Sequence, residues 1–201
     1  MPRRKRRAAA KDLLSDETRR RLAYHEAGHA LMGHWLGVGS VERVTIEPRG
    51  QALGVTHITR DTEDPLYKQS ELTNRLAMML GGREAELLVL SSVSSGASDD
   101  LKRASELAIR MVGSLGFSQA FGLLSVAGVP KDLLGPDIQA AVLKEARTLL
   151  EQAQAQTQRL LASNRVSLDA LANGLLEREV LSGAELETLL GERLAPMAMA
   201  G

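Results

Sequence analysis

The segment His25-Glu26-Ala27-Gly28-His29 constrains the fold most, because its two histidines can reach one metal ion if the segment is a helix. Side chains at positions i and i+4 are neighbours on a helix surface, so both imidazoles can bind one zinc ion at about 2.0–2.1 Å. Glu26 lies about 100° around the same helix. It can reach a water molecule beside the ion without binding the ion itself, as a general base must. The pattern H-E-x-x-H therefore predicts a zinc peptidase site.

The surroundings of the motif favour a metal site over the alternative, which is two unrelated histidines near a helical glutamate. The motif falls inside an amphipathic pattern that predicts a helix, capped by Ser15 or Asp16 and stopped by Gly37 and Gly39. A glycine costs about 1 kcal/mol in a helix interior relative to alanine. Gly28 therefore indicates that another element approaches the helix backbone beside the histidines.

Two histidines and a water molecule leave zinc one protein ligand short. The chain has no cysteine, so the candidates are carboxylates and the other histidines. His34 follows His29 by five residues and faces away from it, which favours a solvent or helix-end histidine. His57 lies on a predicted strand, either in a substrate cleft or at the surface. In the pair Asp99-Asp100, Asp99 suits a helix N-cap, and a carboxylate one position further in can project toward another helix. The spacing leaves this choice open.

The remainder of the chain predicts a mainly helical domain with a short β hairpin or meander at about 41–48 and 53–59. Helices are predicted at about 66–90, 98–115, 136–163, 167–178 and 182–193. The adjacent Gly81 and Gly82 predict a kink or the close approach of another element. Residues 1–13 are predicted to be a basic, disordered tail. The domain at 14–201 divides into a zinc-site part (14–116) and a C-terminal helical part (117–194).

Composition supports this fold class and limits the partners. Aromatic residues make up 2% of the 201 residues, so the core must consist of Leu, Val, Ile, Ala and Met, which favours packed helices over a large β-sandwich. The formal net charge is zero, so we do not expect nucleic acid as a partner. No apolar stretch reaches the roughly 18 residues that span a bilayer. A chain without cysteine is compatible with a reducing cytosol, and we expect a cytoplasmic location.

Several segments carry the pattern of one known family, in the same order. They are Tyr24-His25-Glu26-Ala27-Gly28-His29-Ala30, Val44-Thr45-Ile46-Glu47-Pro48-Arg49-Gly50, Ala52-Leu53-Gly54-Val55-Thr56, Gly81-Gly82-Arg83 with Ala85-Glu86, and Ser95-Gly96-Ala97-Ser98-Asp99-Asp100-Leu101. With these segments the chain resembles the protease domain of the FtsH family of membrane-tethered, ATP-dependent metalloproteases. The resemblance extends over about residues 22–194. Five motifs in the same order are far more specific than one.

The resemblance implies a mostly helical fold with Zn²⁺ as the metal and an aspartate as the third ligand. The family pattern Gly-Ala-x-x-Asp-Leu places that ligand on Asp100 and leaves Asp99 as a cap or loop residue. Glu86 matches the first glutamate of Ala-Glu-Glu, and we expect it to orient a histidine ligand. The strand at 53–59 matches the segment that lines the substrate cleft, where an extended peptide can pair with an open sheet edge. The cleft residues would be Gly54, Val55, Thr56 and His57.

The sequence also departs from the family. No ATPase module or transmembrane segment precedes the domain, no G-x-x-x-x-G-K-S/T phosphate loop occurs, and Leu87 replaces the second acidic residue of Ala-Glu-Glu. We therefore expect a stand-alone zinc metalloendopeptidase that cleaves unfolded or flexible proteins without its own ATPase. A separate ATPase partner would be needed to deliver folded substrates.

The alternative is a non-catalytic, zinc-stabilised oligomerisation or adaptor module. The intact Glu26 favours the enzyme, because a purely structural zinc site needs no base and usually closes its fourth position with a protein ligand. Protease domains of the resembled family form rings, so a homo-hexamer is compatible with either hypothesis.

Overall fold

The computed structural model of the protein describes residues 14–48, 53–61, 65–130 and 133–193. Within these residues the fold is mainly helical, as predicted, with a small antiparallel sheet. The elements in chain order are α1 (Asp16–Trp35), β1 (Ser40–Thr45), β2 (Val55–Thr59), α2 (Gln69–Leu90), α3 (Ser98–Gly113), α4 (Pro136–Ser163), α5 (Arg165–Arg178), β3 (Val180–Ser182) and α6 (Gly183–Leu190). The predicted basic tail at 1–13 lies outside the described residues.

The ends of α1 and α4 follow the sequence signals. The Thr18 backbone N–H donates to the Ser15 hydroxyl oxygen at 3.2 Å, which caps α1. Gly37 follows the helix with φ of +63°, a left-handed conformation that glycine adopts without steric cost. Pro136 begins α4 in its first turn, where a missing N–H costs nothing. The predicted boundaries of these two helices are confirmed.

The sheet has the strand order β2-β1-β3. β1 pairs antiparallel with both neighbours, so that Val44 lies opposite Thr56 on one side and Leu181 on the other. The predicted hairpin of β1 and β2 is therefore confirmed. β3 is absent from the sequence prediction, because three residues are too few to show an alternating pattern. β2 forms an edge of this sheet, and its other side pairs with no strand of the described chain.

The core is built around α1, which packs against α2, α5 and the sheet. Apart from Glu84 and Glu86, the largest fully buried side chains are leucines and methionines, with Leu31 and Met32 from α1 and Leu168 and Leu171 from α5 among them. This agrees with a core that has few aromatic residues. The division at residue 116 falls in the connection between α3 and α4, and the separate roles of the two parts stay a prediction.

α1 and α2 meet backbone to backbone, which confirms the predicted close approach at the glycines. A Cβ atom on Gly81 would come within 2.6 Å of the Gly28 carbonyl oxygen. Any side chain at either position would force the two helices apart.

Some helix ends differ from the prediction. α2 begins at Gln69 rather than near 66, because the Glu71 carboxylate accepts a hydrogen bond from the Lys68 N–H at 2.9 Å and starts the helix there. α3 ends at Gly113 rather than at 115. No helix in the described ranges is both long and apolar enough to cross a membrane.

Candidate metal centre

Three predicted ligand atoms converge between α1 and α3. The Nε2 atoms of His25 and His29 lie 3.1 Å apart, and the Asp100 Oδ2 atom lies 3.3 Å from the first and 3.2 Å from the second. Within the described part of the chain, these three side chains form the group whose ligand atoms lie close enough together to hold one metal ion. The structure thus brings together two side chains of one helix and a third that lies 71 residues after His29.

The hydrogen bonds on the far side of each ring fix the tautomers. His29 Nδ1 lies 2.8 Å from the Met78 carbonyl oxygen, which can only accept, so Nδ1 carries the proton. His25 Nδ1 lies 2.7 Å from Glu86 Oε1 and donates to this carboxylate. The neutral form of each imidazole therefore has its lone pair on Nε2, directed at Asp100 Oδ2. With both imidazoles neutral, these three lone-pair donors repel one another, and a proton or a metal ion between them relieves the repulsion.

The spacing of the donor atoms fits zinc. In a tetrahedral site with bonds of about 2.0–2.1 Å, ligand atoms are separated by about 3.3–3.4 Å. The three observed separations are 3.1–3.3 Å. Two imidazole nitrogens and one carboxylate oxygen also form a donor set typical of catalytic zinc sites, which keep a fourth position open.

Asp100 reaches the histidines from the first turn of α3, where the preceding 3₁₀ turn at Ser95–Ala97 aims the helix at α1. The neighbouring Asp99 is exposed and lies in the same first turn. The prediction of Asp99 as the N-cap is wrong, because the cap position is Ala97 and no side chain caps this helix. Asp99 instead places a negative charge near the positive end of the helix dipole.

Glu26 lies beside the three ligand atoms and outside their group. Its side chain is buried, and its Oε2 atom accepts a hydrogen bond of 2.7 Å from the Thr56 hydroxyl on β2. A Cβ atom on Gly54 would come within 2.5 Å of Glu26 Oε1. The absence of a side chain at Gly54 therefore leaves room for this carboxylate, and Thr56 holds its orientation.

Glu86 supports His25 from α2 and is almost fully buried, with 1% of its surface exposed. Besides His25, its carboxylate accepts hydrogen bonds from Arg21 at 2.8 Å and from the Ser94 hydroxyl at 3.1 Å. The sequence prediction did not include Arg21, Ser94 or the Met78 carbonyl. Arg21 precedes His25 by one helical turn, and this spacing was the signal that could have identified it.

Hydrogen bonds and charges at the site shift the pKa values of His25, Asp100 and Glu86. Burial lowers the pKa of His25, but hydrogen bonds to Asp100 and Glu86 and the charge of Glu26 outweigh burial and raise it to about 9. Burial raises the pKa of Asp100, but hydrogen bonds to His25 and His29 lower it well below its usual range. The pKa of Glu86 is lowered in the same way, by His25, Arg21 and Ser94 against the effect of burial.

The remaining candidate residues lie outside the metal group. His34 is at the end of α1, half-buried, with Nε2 donating to the Gly191 carbonyl oxygen at 2.9 Å, as expected of a helix-end histidine. His57 is exposed on β2, opposite Arg43 of β1, and Val55 begins the same strand. Gly54 and Thr56 contact Glu26, whereas a contact of β2 with substrate stays a prediction.

The domain is mainly helical, and one helix carries two histidines on either side of a buried glutamate in the sequence. An aspartate from a second helix lies beside both histidines. This is the architecture of an H-E-x-x-H metallopeptidase. Comparison of the sequence with known protein families gives the same class of protein. Residues 12–189 match the model of peptidase family M41, and the chain belongs to this family.

Curated relatives extend the comparison. The chain is 39% identical over 199 residues to the ATP-dependent zinc metalloprotease FtsH 4 of Synechocystis sp., in an alignment that covers 92% of this chain and 32% of the relative. It is 40% identical over 197 residues to the ATP-dependent zinc metalloprotease FtsH of Thermobaculum terrenum, with 92% of this chain and 30% of the relative covered. The chain thus spans about a third of the length of these relatives.

Proposed function

We propose that this chain is a zinc metalloendopeptidase domain in which His25, His29 and Asp100 hold Zn²⁺ and Glu26 is the general base. The convergence of three lone-pair donors within 3.1–3.3 Å of one another carries this proposal. The names of the relatives, zinc metalloproteases, agree with it. When bound, Zn²⁺ would polarise the scissile carbonyl and make water acidic enough to be deprotonated near neutral pH.

Glu26 would move the proton in this reaction. Its carboxylate takes a proton from the attacking water and passes it to the leaving amine nitrogen. The hydrogen bond from Thr56 holds Oε2, and Oε1 faces the space left open by Gly54. The base therefore approaches the reacting water in one orientation.

The substrate would be an unfolded or flexible polypeptide bound in extended form along β2. The strand lies at the edge of the sheet and carries Thr56, which contacts the catalytic carboxylate. A peptide that pairs with this edge, near Gly54, Val55, Thr56 and His57, would have its backbone beside Glu26. The side chains proposed for hydrolysis all lie between residues 25 and 100, and the hydrolysis itself requires no ATP. Unfolding of a stable substrate would require an ATPase partner.

Zinc content and cleavage of unfolded casein, measured on the 201-residue chain and on Glu26→Gln, test this proposal. We expect both proteins to bind one zinc ion and only the unsubstituted chain to cleave casein, with a loss of at least about 10²-fold in the variant. Glu42→Gln, at an exposed position of β1, is the matched control and should retain activity. Equal casein cleavage by both zinc-loaded proteins would reject the role of Glu26, and zinc binding without any cleavage would favour the adaptor hypothesis.

The homo-hexamer, the separate ATPase partner and the cytoplasmic location stay predictions. Light scattering on the purified chain tests the first of these. A mass of six chains is the expected result, and a monomer at micromolar concentration would contradict it.

A further inference from the structure

Arg21 binds two of the segments that form the metal centre, and the proposed reaction assigns it no role. It lies on α1 one turn before His25. Its Nη1 atom donates to Glu86 Oε2 at 2.8 Å and to the Ser92 carbonyl oxygen at 3.1 Å. Its Nη2 atom donates to the Ser92 hydroxyl at 3.0 Å. One guanidinium therefore connects α1, α2 and the loop that follows α2.

The two oxygens of the Glu86 carboxylate accept hydrogen bonds from two different residues of α1. Arg21 takes Oε2, while Oε1 accepts from His25 Nδ1 and from Ser94. Hydrogen bonds to both oxygens keep the Glu86 carboxylate from rotating. Because Glu86 is the acceptor that orients the His25 ring, the ring is held in one plane as well. Because Glu86 is almost fully buried, loss of the Arg21 charge would also leave a buried carboxylate with less compensation.

The second contact of Arg21 acts on the third ligand. Ser92 and Ser94 lie in the loop between α2 and the 3₁₀ turn at Ser95–Ala97, which leads directly into α3 and Asp100. Arg21 holds Ser92, and Glu86 holds Ser94. The loop that delivers Asp100 is thus attached to the helix that carries His25 and His29.

We propose that Arg21 is a positioning residue of the metal centre, which preorganises His25 through Glu86 and Asp100 through Ser92 for the ion. The inference rests on the proposed zinc site. Arginine suits this role because its planar fork can bind a carboxylate and a loop at the same time, which a lysine ammonium cannot do in one fixed geometry.

The chain supplies a matched control on the same helix. Arg19 has 16% of its side chain exposed, against 19% for Arg21, and donates to Glu179 at 3.0 Å and to the Leu176 carbonyl oxygen at 3.4 Å. Its partners belong to α5 and the residue that follows it, away from the metal centre. Loss of Arg19 should therefore lower stability without an effect on the ion.

The experiment is a competition titration with a chromophoric chelator on the full chain, which gives the zinc Kd without reference to activity. We expect Arg21→Gln to weaken zinc binding about tenfold or more, as loss of outer hydrogen-bond partners does in other zinc sites. Arg19→Gln should stay within about twofold of the unsubstituted chain, and Arg21→Lys should bind with an intermediate Kd. The visible absorption of the Co²⁺ form should change in Arg21→Gln and not in Arg19→Gln.

A double variant tests whether Arg21 acts through Glu86. In a Glu86→Gln background, Arg21→Gln should weaken zinc binding by much less than it does alone, since coupled residues are not additive. An equal loss in both backgrounds, or an unchanged Kd in Arg21→Gln, would overturn the inference. If Arg21→Gln does not fold in a thermal melt of the metal-free protein, Arg21→Lys decides, and a Kd equal to that of the unsubstituted chain overturns it. Absence of zinc binding by the unsubstituted chain would instead reject the proposed function.

Discussion

Gly82 of α2 lies against the imidazole of His25, so that a Cβ atom at this position would come within 2.6 Å of the His25 Nε2 atom. The space that a side chain would fill is occupied by a proposed zinc ligand. Together with the backbone contact of Gly28 and Gly81, this explains why two adjacent glycines persist inside α2 despite their cost of about 1 kcal/mol each. The glycines set the distance between the helices, and this distance sets the position of the ring.

Gly82→Ala should therefore abolish or strongly weaken zinc binding. The added methyl group meets the ring at the atom proposed to bind the ion, so His25 must turn away or the helices must separate. Zinc per chain, measured by atomic emission after dialysis, should fall from about one toward zero. Gly128→Ala is the control, because a Cβ atom there meets nothing within 4 Å. Full zinc content in Gly82→Ala would show that the ring does not bind the ion in this position.

Asp99 and Asp100 are adjacent, yet only substitution of Asp100 should remove zinc from the protein. Asp100→Ala removes the carboxylate 3.2–3.3 Å from both histidine nitrogens and should lose zinc. Asp99→Ala removes an exposed charge from the first turn of α3 and should retain zinc, at a cost of about 0.3–1 kcal/mol in stability. Zinc content and thermal melts of the two variants give the comparison. Equal zinc loss in both would mean that α3 contributes through its fold rather than through one ligand.

The hydroxyl of Thr56 should matter for catalysis more than for metal binding. Thr56→Val keeps the shape of the side chain and removes the 2.7 Å hydrogen bond to Glu26. Without this hydrogen bond Glu26 is no longer held in one orientation toward the reacting water, so we expect kcat to fall about 10–100-fold at unchanged zinc content. Thr59→Val, at an exposed position of the same strand, should be neutral. Unchanged kcat in Thr56→Val would mean that Glu26 needs no support from β2.

The stability of the metal-free protein should depend on pH through His25. Burial lowers the pKa of His25, but its carboxylate partners raise it from an ordinary value of 6.5 to about 9. Because the pKa is higher in the folded state, the stabilising contribution is complete below about pH 6.5 and is lost as the pH rises to about 9. The Tm of the metal-free chain should fall across this range. His25→Gln should lack this slope, and a flat Tm in the unsubstituted metal-free chain would contradict a raised pKa of His25.

Bound zinc should stabilise the folded protein more strongly as the pH rises. The ion binds only the neutral imidazole, so protons compete with it less as the pH rises. The difference in Tm between the zinc-loaded and metal-free forms should therefore widen from pH 6.5 to pH 9 at constant free zinc. A difference that narrows over this range would argue against His25 as a ligand.

Local patterns predict α1, α4 and the pairing of His25 with His29, because periodicity, caps and the i, i+4 spacing are properties of residues close in sequence. The sequence also indicated through Gly28 that another backbone lies close to α1. It could not show which element that is, since the contact with Gly81 depends on tertiary packing. The choice of Asp100 over Asp99 came from family resemblance, and the geometry now shows the Asp100 carboxylate beside both histidines. Arg21 was missed because its partners, Glu86 and Ser92, lie 65 and 71 residues away.

The short strand β3 has a consequence for any shortened form of this chain. β3 covers the side of β1 that β2 leaves open, and it arrives from the C-terminal helices, immediately before α6. A chain cut before Val180 would expose a row of unpaired backbone groups on β1, at the edge of the sheet opposite to the one that β2 already presents. Such edges pair with other molecules and promote aggregation. Fragments that end before Val180 should therefore self-associate through β1, even if every proposed zinc ligand is intact.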